Sequence, residues 1–381
     1  MVGLIVHEWI ERSGGAEKVL QAMARTFPDA DIQCLWNDAP ERLRGHHVQQ
    51  TWLARTPVRT HKPLAAPLAL YVWRRLRTER RYEWMLVSSH LFAHHARLSD
   101  PAVPKFVYAH TPARYIWNPE FDSRGNRPWI RRVTPAFKRV DRHRAQEATA
   151  IAANSSFIRD RIAVAWKRDA VVIHPPVDVE RILRQADWRN EIRDKNEIRL
   201  LDDLPAHFAL GASRFVPYKQ LDMVIRAGVQ ADIPVVIAGH GPEERRLREL
   251  ADACGGSVRI VVTPSDALLY SLMQRAAVFV FPAIEDFGIV TVEAQAAGTP
   301  VVTGPVGGQV ETFRPGVSGV ISESVSLDDF ARAIEVALAL PAFEPRAVVA
   351  RFSEVRFADQ IRQFVGASPG SSVGRSPTGA Q

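Results

Sequence analysis

Short apolar runs recur along the chain, each followed by a longer stretch whose apolar residues return with helical spacing. In the first half the runs are VGLIV (2–6), DIQCLW (31–36), WMLVSS (84–89), KFVYA (105–109), AIAAN (150–154) and AVVIH (170–174). In the second half they are HFALGA (207–212), VVIAG (235–239), VRIVV (258–262), VFVFP (278–282), PVVTG (300–304) and GVIS (319–322). These runs are continuous rather than alternating, and many are rich in β-branched residues. That predicts strands buried on both faces, as in parallel sheets covered by helices. Two such series in succession predict an α/β chain of two doubly wound, Rossmann-like domains. Ligands of such sheets gather beyond the carboxyl ends of the strands, so the loops after each run are the places to search.

The boundary is expected near 176–203, where prolines and dense mixed charge read as a linker carrying a surface helix. This gives a first domain over 1–180, a linker over 181–203 and a second domain over 204–351. A C-terminal amphipathic helix over 352–366 completes the first domain. The Pro/Gly/Ser-rich tail 367–381 reads as disordered.

Composition narrows the picture. The 381 residues are 46% hydrophobic and 24% charged, an ordinary globular balance. Two cysteines far apart, Cys34 and Cys254, exclude a disulfide framework and zinc-finger spacing, which points to a reducing cytosol. No run of 18 apolar residues is present, and the start MVGLIVHEWIERSGG reads as a first strand rather than a signal peptide. Charge is uneven: residues 1–180 carry 28 Lys and Arg against 18 Asp and Glu, and the remainder 21 against 24. A basic first half suits nucleic acid, a lipid surface or a phosphorylated substrate; it equally serves plain solubility.

Five segments follow predicted strand ends. In FPAIEDFGIVTVEAQAAGTPVV (281–302), Glu285 sits on a loop, Gly288 opens a helix and Glu293 lies within it. The amides of Phe287, Gly288, Ile289 and Val290 at that helix start can hold an anion or hydroxyls, with a carboxylate on either side. The alternative is a helix start whose acidic residues simply favour the macrodipole. In GASRFVPYKQLD (211–222), Arg214 and Lys219 read either as a diphosphate clamp or as a solvated surface pair. IAGHGPEE follows the next strand, where Gly239 and Gly241 permit close approach of a ligand. RSGGAEKVL places Gly14 and Gly15 between the first strand and a helix, where their amides can face a phosphate. In YAHTPARYIWN, His110 stands at a strand end, able to donate to a hydroxyl or meet a leaving phosphate, or to act structurally.

Other patterns carry less. His90 and His94 have metal-ligand spacing if helical, without an HExxH carboxylate, and FPDADI offers an Asp-x-Asp at the wrong end of a sheet. No GxGxxG or Walker loop supports a dinucleotide oxidoreductase or an NTPase, and no RNP, KH or helix-turn-helix pattern accompanies the basic stretch RRVTPAFKRVDRHR (131–144). That stretch, and HKPLAAPLALYVWRRLRTERR (61–81), can face a membrane or simply be solvated.

In combination these segments resemble one family. EDFGIVTVEAQAAGTPVV resembles the E-x7-E signature of retaining GT-B glycosyltransferases of family 4, SRFVPYK their Arg…Lys diphosphate motif and AGHGPEE their Gly-x-Gly-Pro turn. HEWIERSGGAEKVL with FPDADI, VSSH, YAHTPARYIW, AANSSFIRDRI and VIHPPVD are similar to bacterial mannosyltransferases of O-antigen and other cell-surface polysaccharide synthesis. Two departures stand out: Glu8 where that family often has Asp, and VTPSDALL where a Gly-containing turn is usual near the base.

The resemblance implies a GT-B fold with two Rossmann-like domains facing a cleft, and transfer of a sugar with retention. The first choice is mannose from GDP-mannose; the alternative is a UDP- or other NDP-sugar. It implies that Arg214 and Lys219 neutralise the donor diphosphate, Glu293 holds the ribose and Glu285 the transferred sugar. Gly14 and Gly15 would face the phosphates, and His110 would stand beside the sugar. No metal or other cofactor is implied at the chemical step. The implied acceptor is a glycan or a polyprenyl-diphosphate-linked glycan. The setting is cytoplasmic, peripheral on the inner face of the cell membrane through the basic first domain, with no nucleic acid. A glycosyl phosphorylase and a non-catalytic basic module are the rivals.

Overall fold

The computed structural model describes residues 2–12, 14–60, 62–78, 80–117 and 128–366; the tail expected to be disordered lies outside these. All twelve apolar runs form strands, and a thirteenth, three-residue strand joins them. The first sheet contains β1 (Gly3–His7), β2 (Asp31–Cys34), β3 (Val48–Gln50), β4 (Trp84–Ser89), β5 (Lys105–Ala109), β6 (Ala150–Ala153) and β7 (Val171–Val172), in the order β3-β2-β1-β4-β5-β6-β7. The second contains β8 (Ala209–Ala212), β9 (Val235–Gly239), β10 (Val258–Val262), β11 (Val278–Phe281), β12 (Val301–Thr303) and β13 (Gly319–Ile321), in the order β10-β9-β8-β11-β12-β13. Every described strand pairing is parallel.

The strands are apolar throughout because helices cover both faces. Leu4, Ile5, Leu86, Val236, Ile237 and Val301 are all fully buried. The covering helices present apolar stripes at i, i+3, i+4 spacing. The helix Gly15–Thr26 buries Val19, Leu20 and Met23, and the helix Leu327–Leu338 buries Phe330, Ile334 and Ala337. Ser326 caps the latter, its hydroxyl accepting from the amide of Asp329.

The chain divides into two compact units: Met1–Ala153, Arg161–Ile173 and Ala358–Gln381 form the first, Asn154–Asp160 and His174–Phe357 the second. The first unit therefore hands over at 173/174, not at 180, and 181–203 is not a linker. It forms a helix Val179–Arg184, a turn Trp188–Glu191 and a helix Lys195–Asp202, each opened by an aspartate cap at Asp178, Asp187 or Asp194. Val179, Ile182, Trp188, Ile192, Leu201 and Leu204 enter the same core as Phe208 and Met273. Dense surface charge hides these anchors in the sequence. The final helix Glu354–Gly366 belongs to the first unit from Ala358 onward, where Phe364 packs against Phe106 with ring centroids 5.4 Å apart.

Candidate active site

In each sheet the strand order reverses once, between β1 and β4 and between β8 and β11. At such a point neighbouring loops diverge and leave a crevice at the carboxyl edge. The predicted residues fall at these two places.

In the first unit, β1 ends in His7 and is followed by Glu8, β4 ends in Ser88 and Ser89, and β5 leads to His110. Parallel register sets His7 opposite Ser88 and Ser89 opposite Ala109. The imidazole Nδ1 of His7 lies 3.0 Å from Ser88 Oγ, and the same oxygen lies 2.9 Å from His110 Nε2. Burial, together with His90 and His7, pushes the His110 imidazole down to about 3. Burial likewise takes His7 down to about 4. Both rings are therefore neutral near pH 7.

Glu8 shapes the next loop. Its Oε1 accepts from Leu91 N at 2.8 Å, Ala93 N at 2.9 Å and Ser89 Oγ at 3.2 Å, and its Oε2 faces His90 Nδ1 at 3.2 Å. Burial opposes ionisation, but His90, His7 and these amides prevail and hold the carboxyl down at about 2. A carboxylate at this position thus folds the 90–95 turn over the strand end.

The helix start at Gly14 and Gly15 is already partly occupied. A Cβ at Gly14 would collide with the carboxylate of Glu17, whose Oε1 also accepts from Glu11 N at 3.3 Å. Burial raises the Glu17 carboxyl above its usual range.

The histidine spacing seen in sequence does not make one ligand set. His90 turns toward Glu8, whereas His94 joins His95 at Asp141 Oδ1, at 3.0 and 2.9 Å. The other oxygen of Asp141 accepts from the indoles of Trp117 and Trp166 at 2.7 and 2.8 Å. These contacts satisfy both oxygens of that carboxylate. Asp31 of the Asp-x-Asp is also structural, accepting from Tyr82 OH at 2.7 Å and Arg80 Nε at 2.9 Å.

In the second unit, the chain leaves β8 through Arg214 and a short turn Pro217–Lys219, while the loop after β11 carries Glu285. Lys219 Nζ lies 2.6 Å from Glu285 Oε1, both side chains keeping some solvent contact. Arg214 stays near the surface, donating to Tyr218 OH at 2.6 Å. Gly288 caps the helix Ile289–Ala296 at φ 94, a left-handed conformation that favours glycine. The amides at Ile289 and Val290 follow at the first turn, where no earlier turn supplies acceptors. Phe287 is buried against Phe352 and His174. Glu293 is buried within the helix, and its charge adds to burial in raising the Tyr270 hydroxyl.

Two findings differ from the sequence reading. Gly239 and Gly241 admit the chain's own backbone: a Cβ at Gly241 would lie 2.6 Å from Phe215 O, and Phe215 N donates to His240 O at 2.7 Å. They lock the Arg214 loop to its neighbour. The reading also missed Gly307, Gly308 and Gln309. Gly308 N donates to Glu285 O at 2.7 Å and Gln309 Oε1 accepts from Glu285 N at 3.1 Å, so this loop holds Glu285 at both ends of its peptide. A Gly-Gly pair just beyond a strand was the available signal.

Residues 13–181 match the family described as Glycosyltransferase Family 4, and residues 193–353 that described as Glycosyl transferases group 1. Among curated relatives, a GDP-mannose-dependent alpha-(1-6)-phosphatidylinositol monomannoside mannosyltransferase of Mycolicibacterium smegmatis is 31% identical over 227 residues, 55% of this chain and 58% of that protein. A D-inositol 3-phosphate glycosyltransferase of Mycobacterium avium is 34% identical over 181 residues, 45% of this chain and 41% of that protein. The matched part thus spans roughly two to three fifths of these relatives. Among solved structures, Anabaena HepE in complex with UDP superposes with TM-score 0.70 at 20% identity, covering 96% of this chain and 100% of that one. Sucrose-phosphate synthase from Thermosynechococcus elongatus gives 0.68 at 18%, covering 95% and 98%. These two likenesses speak to fold alone, and the fold is GT-B.

Proposed function

Because the chain belongs through both of its halves to the glycosyltransferases of family 4 and group 1, we propose that it transfers a sugar from a nucleotide sugar to a glycan or lipid-linked acceptor. Mannose from GDP-mannose is the donor reading that the mannosyltransferase relative favours, and retention is the stereochemical outcome that the family resemblance implies. The observation that carries the proposal is the Lys219–Glu285 pair at the switch point of the second sheet, beside the amides that open the helix Ile289–Ala296.

A lysine held beside a carboxylate is a positive charge already oriented. When the donor enters, Lys219 and Arg214 neutralise its diphosphate, and Glu285 turns to hydroxyls of the sugar. Glu293 holds the ribose. Charge developing on the leaving diphosphate is then met by fixed cations and helix amides, and this lowers the barrier. The leaving phosphate takes the acceptor proton, and the charge stabilisation assigned to Lys219, Arg214 and the helix amides gives no metal a part in the step.

A thermal-shift panel of GDP, UDP, ADP and TDP tests the donor. GDP should stabilise most, and the shift should vanish in Lys219→Ala. A UDP shift without a GDP shift moves the donor to a UDP-sugar. No shift with any nucleotide removes the transferase reading, and the anomeric configuration of the product by NMR decides retention.

The acceptor side of the proposal rests on charge. Lys138, Arg139, Arg142, His143 and Lys167 line a cavity of about 610 Å³ whose described lining includes no carboxylate. No helix among the described residues is long and apolar enough to cross a membrane. A basic surface of this kind meets anionic lipid or a diphosphate headgroup. Sedimentation with vesicles should show binding that requires anionic lipid and falls in Lys138→Glu/Arg139→Glu; equal binding to neutral vesicles would defeat it.

A further inference from the structure

The hydroxyl of Ser88 stands between two imidazoles, His7 Nδ1 at 3.0 Å and His110 Nε2 at 2.9 Å, with Ser88 and His7 fully buried and His110 nearly so. A serine hydroxyl has one proton. It can donate to one imidazole at most, while its two lone pairs can accept from one or both. Since each ring is neutral, each carries a single N–H. Two arrangements satisfy both contacts and also place the Ser88 proton; a third, with both rings donating to Ser88, would leave that buried O–H without an acceptor among the described residues and is disfavoured.

In the first, Ser88 donates to His110 Nε2, so His110 carries its proton on Nδ1. His7 then donates from Nδ1 to Ser88 and its Nε2 is a bare lone pair. In the second, His110 donates from Nε2, Ser88 donates to His7 Nδ1, and the proton of His7 must sit on Nε2. That nitrogen is buried with no hydrogen-bond partner among the described residues. Orphaned buried N–H groups are rarer than under-satisfied acceptors. The first arrangement is favoured.

We propose that Ser88, braced by His7, is a positioning residue that fixes His110 as its Nδ1–H tautomer and so makes the outward nitrogen of His110 a hydrogen-bond donor. The backbone assists: His110 N donates to Ser89 O at 2.8 Å, which holds the residue at the strand end. The step uses only a proton already on the ring, and nothing is transferred. Its functional consequence rests on the transferase reading, where a donor at this place serves a sugar hydroxyl or a phosphate oxygen.

The test begins without activity. Long-range proton–nitrogen NMR of the full chain labelled with 15N-histidine reports which ring nitrogen is protonated, and His110→Gln assigns the signal. Wild type should show His110 protonated on Nδ1. Ser88→Ala should shift His110 toward Nε2–H, and Ser88→Thr, which restores the hydroxyl on a strand that suits β-branched residues, should bring the wild-type signature back. In transfer assays Ser88→Ala should lower kcat about 10–100-fold, the scale seen when the partner orienting a working imidazole is removed, with little change in KM for the donor. His110 found protonated on Nε2 in wild type, or a tautomer unmoved by Ser88→Ala, overturns the proposal; should the alanine variant not fold, Ser88→Val, which removes the hydroxyl while filling its space, carries the same test, and a wild-type signature there overturns it too. A tautomer that behaves as expected in a protein that turns over no nucleotide sugar leaves this inference standing and removes the transferase reading instead.

Discussion

At the switch point of the first sheet, His7, Ser88 and His110 are buried, neutral and joined by hydrogen bonds of 3.0 and 2.9 Å. At the same point of the second sheet, Lys219 and Glu285 meet 2.6 Å apart with solvent still reaching both, and loops rich in glycine surround them. The strand arithmetic is alike in the two sheets; the chemistry is opposite. A doubly wound sheet fixes where a site can form, and the few residues beyond its strand ends decide whether that site handles hydrogen-bond direction or charge.

The largest effect expected from breaking this contrast lies on the charged side. Lys219→Ala should lower turnover by about 10²–10³-fold, the scale of losing one preorganised electrostatic contact, with the melting temperature little changed. Steady-state kinetics beside a melting curve checks it, and a normal kcat would end the assigned role.

Acid should act on the other unit. His7 and His95 titrate at about 4 in the fold and His110 at about 3, below the ordinary 6.5. The unfolded chain therefore binds more protons in this window, so stability is complete above pH 6.5 and falls as pH drops toward 4. Glu8, held at about 2 against the ordinary 4.5, extends the loss from pH 4.5 downward. Hydrogen exchange at pH 7 and pH 5 should show peptides of 2–153 losing protection before those of 174–357; simultaneous loss would contradict the asymmetry.

A smaller effect is expected at Gly308, where a Cβ would strike the carbonyl of Asp286. Gly308→Ala should cost about 1–3 kcal/mol by overpacking and raise the donor KM by displacing Glu285, whereas a mere loss of stability with unchanged KM would show that the loop does not position it. The smallest belongs to Arg214, already at the surface with Tyr218. Arg214→Lys keeps the charge but loses the planar fork, and should raise the donor KM only several-fold.

The sequence carried the fold far because each buried strand writes itself as an uninterrupted apolar run. β3, reading VQQ at the sheet edge, has no such run and escaped notice. The segment 181–203 was misread for the converse reason: Trp188, Ile192 and Leu201 are spaced among charges that mask them, although Asp178, Asp187 and Asp194 already mark three helix starts. At the site, Lys219 and Glu285 were identifiable singly from their places after strands. Their pairing across 66 positions was not, since it depends on β8 and β11 lying side by side. Ser88 entered only within the VSSH segment of the resemblance and with no role of its own, because a serine at a strand end is ordinary until its two imidazoles are seen.

Asp141 deserves a last consideration for how the chain reaches its native state. Four donors from three segments distant in sequence, His94 and His95, Trp117, and Trp166, converge on this one carboxylate, which is fully buried. Until all of them arrive, docking the helix Pro128–Ala145 would mean stranding a negative charge in a dry interior. Partial assembly is thereby penalised, and the first unit is driven to complete itself in a single cooperative event rather than to accumulate half-built forms.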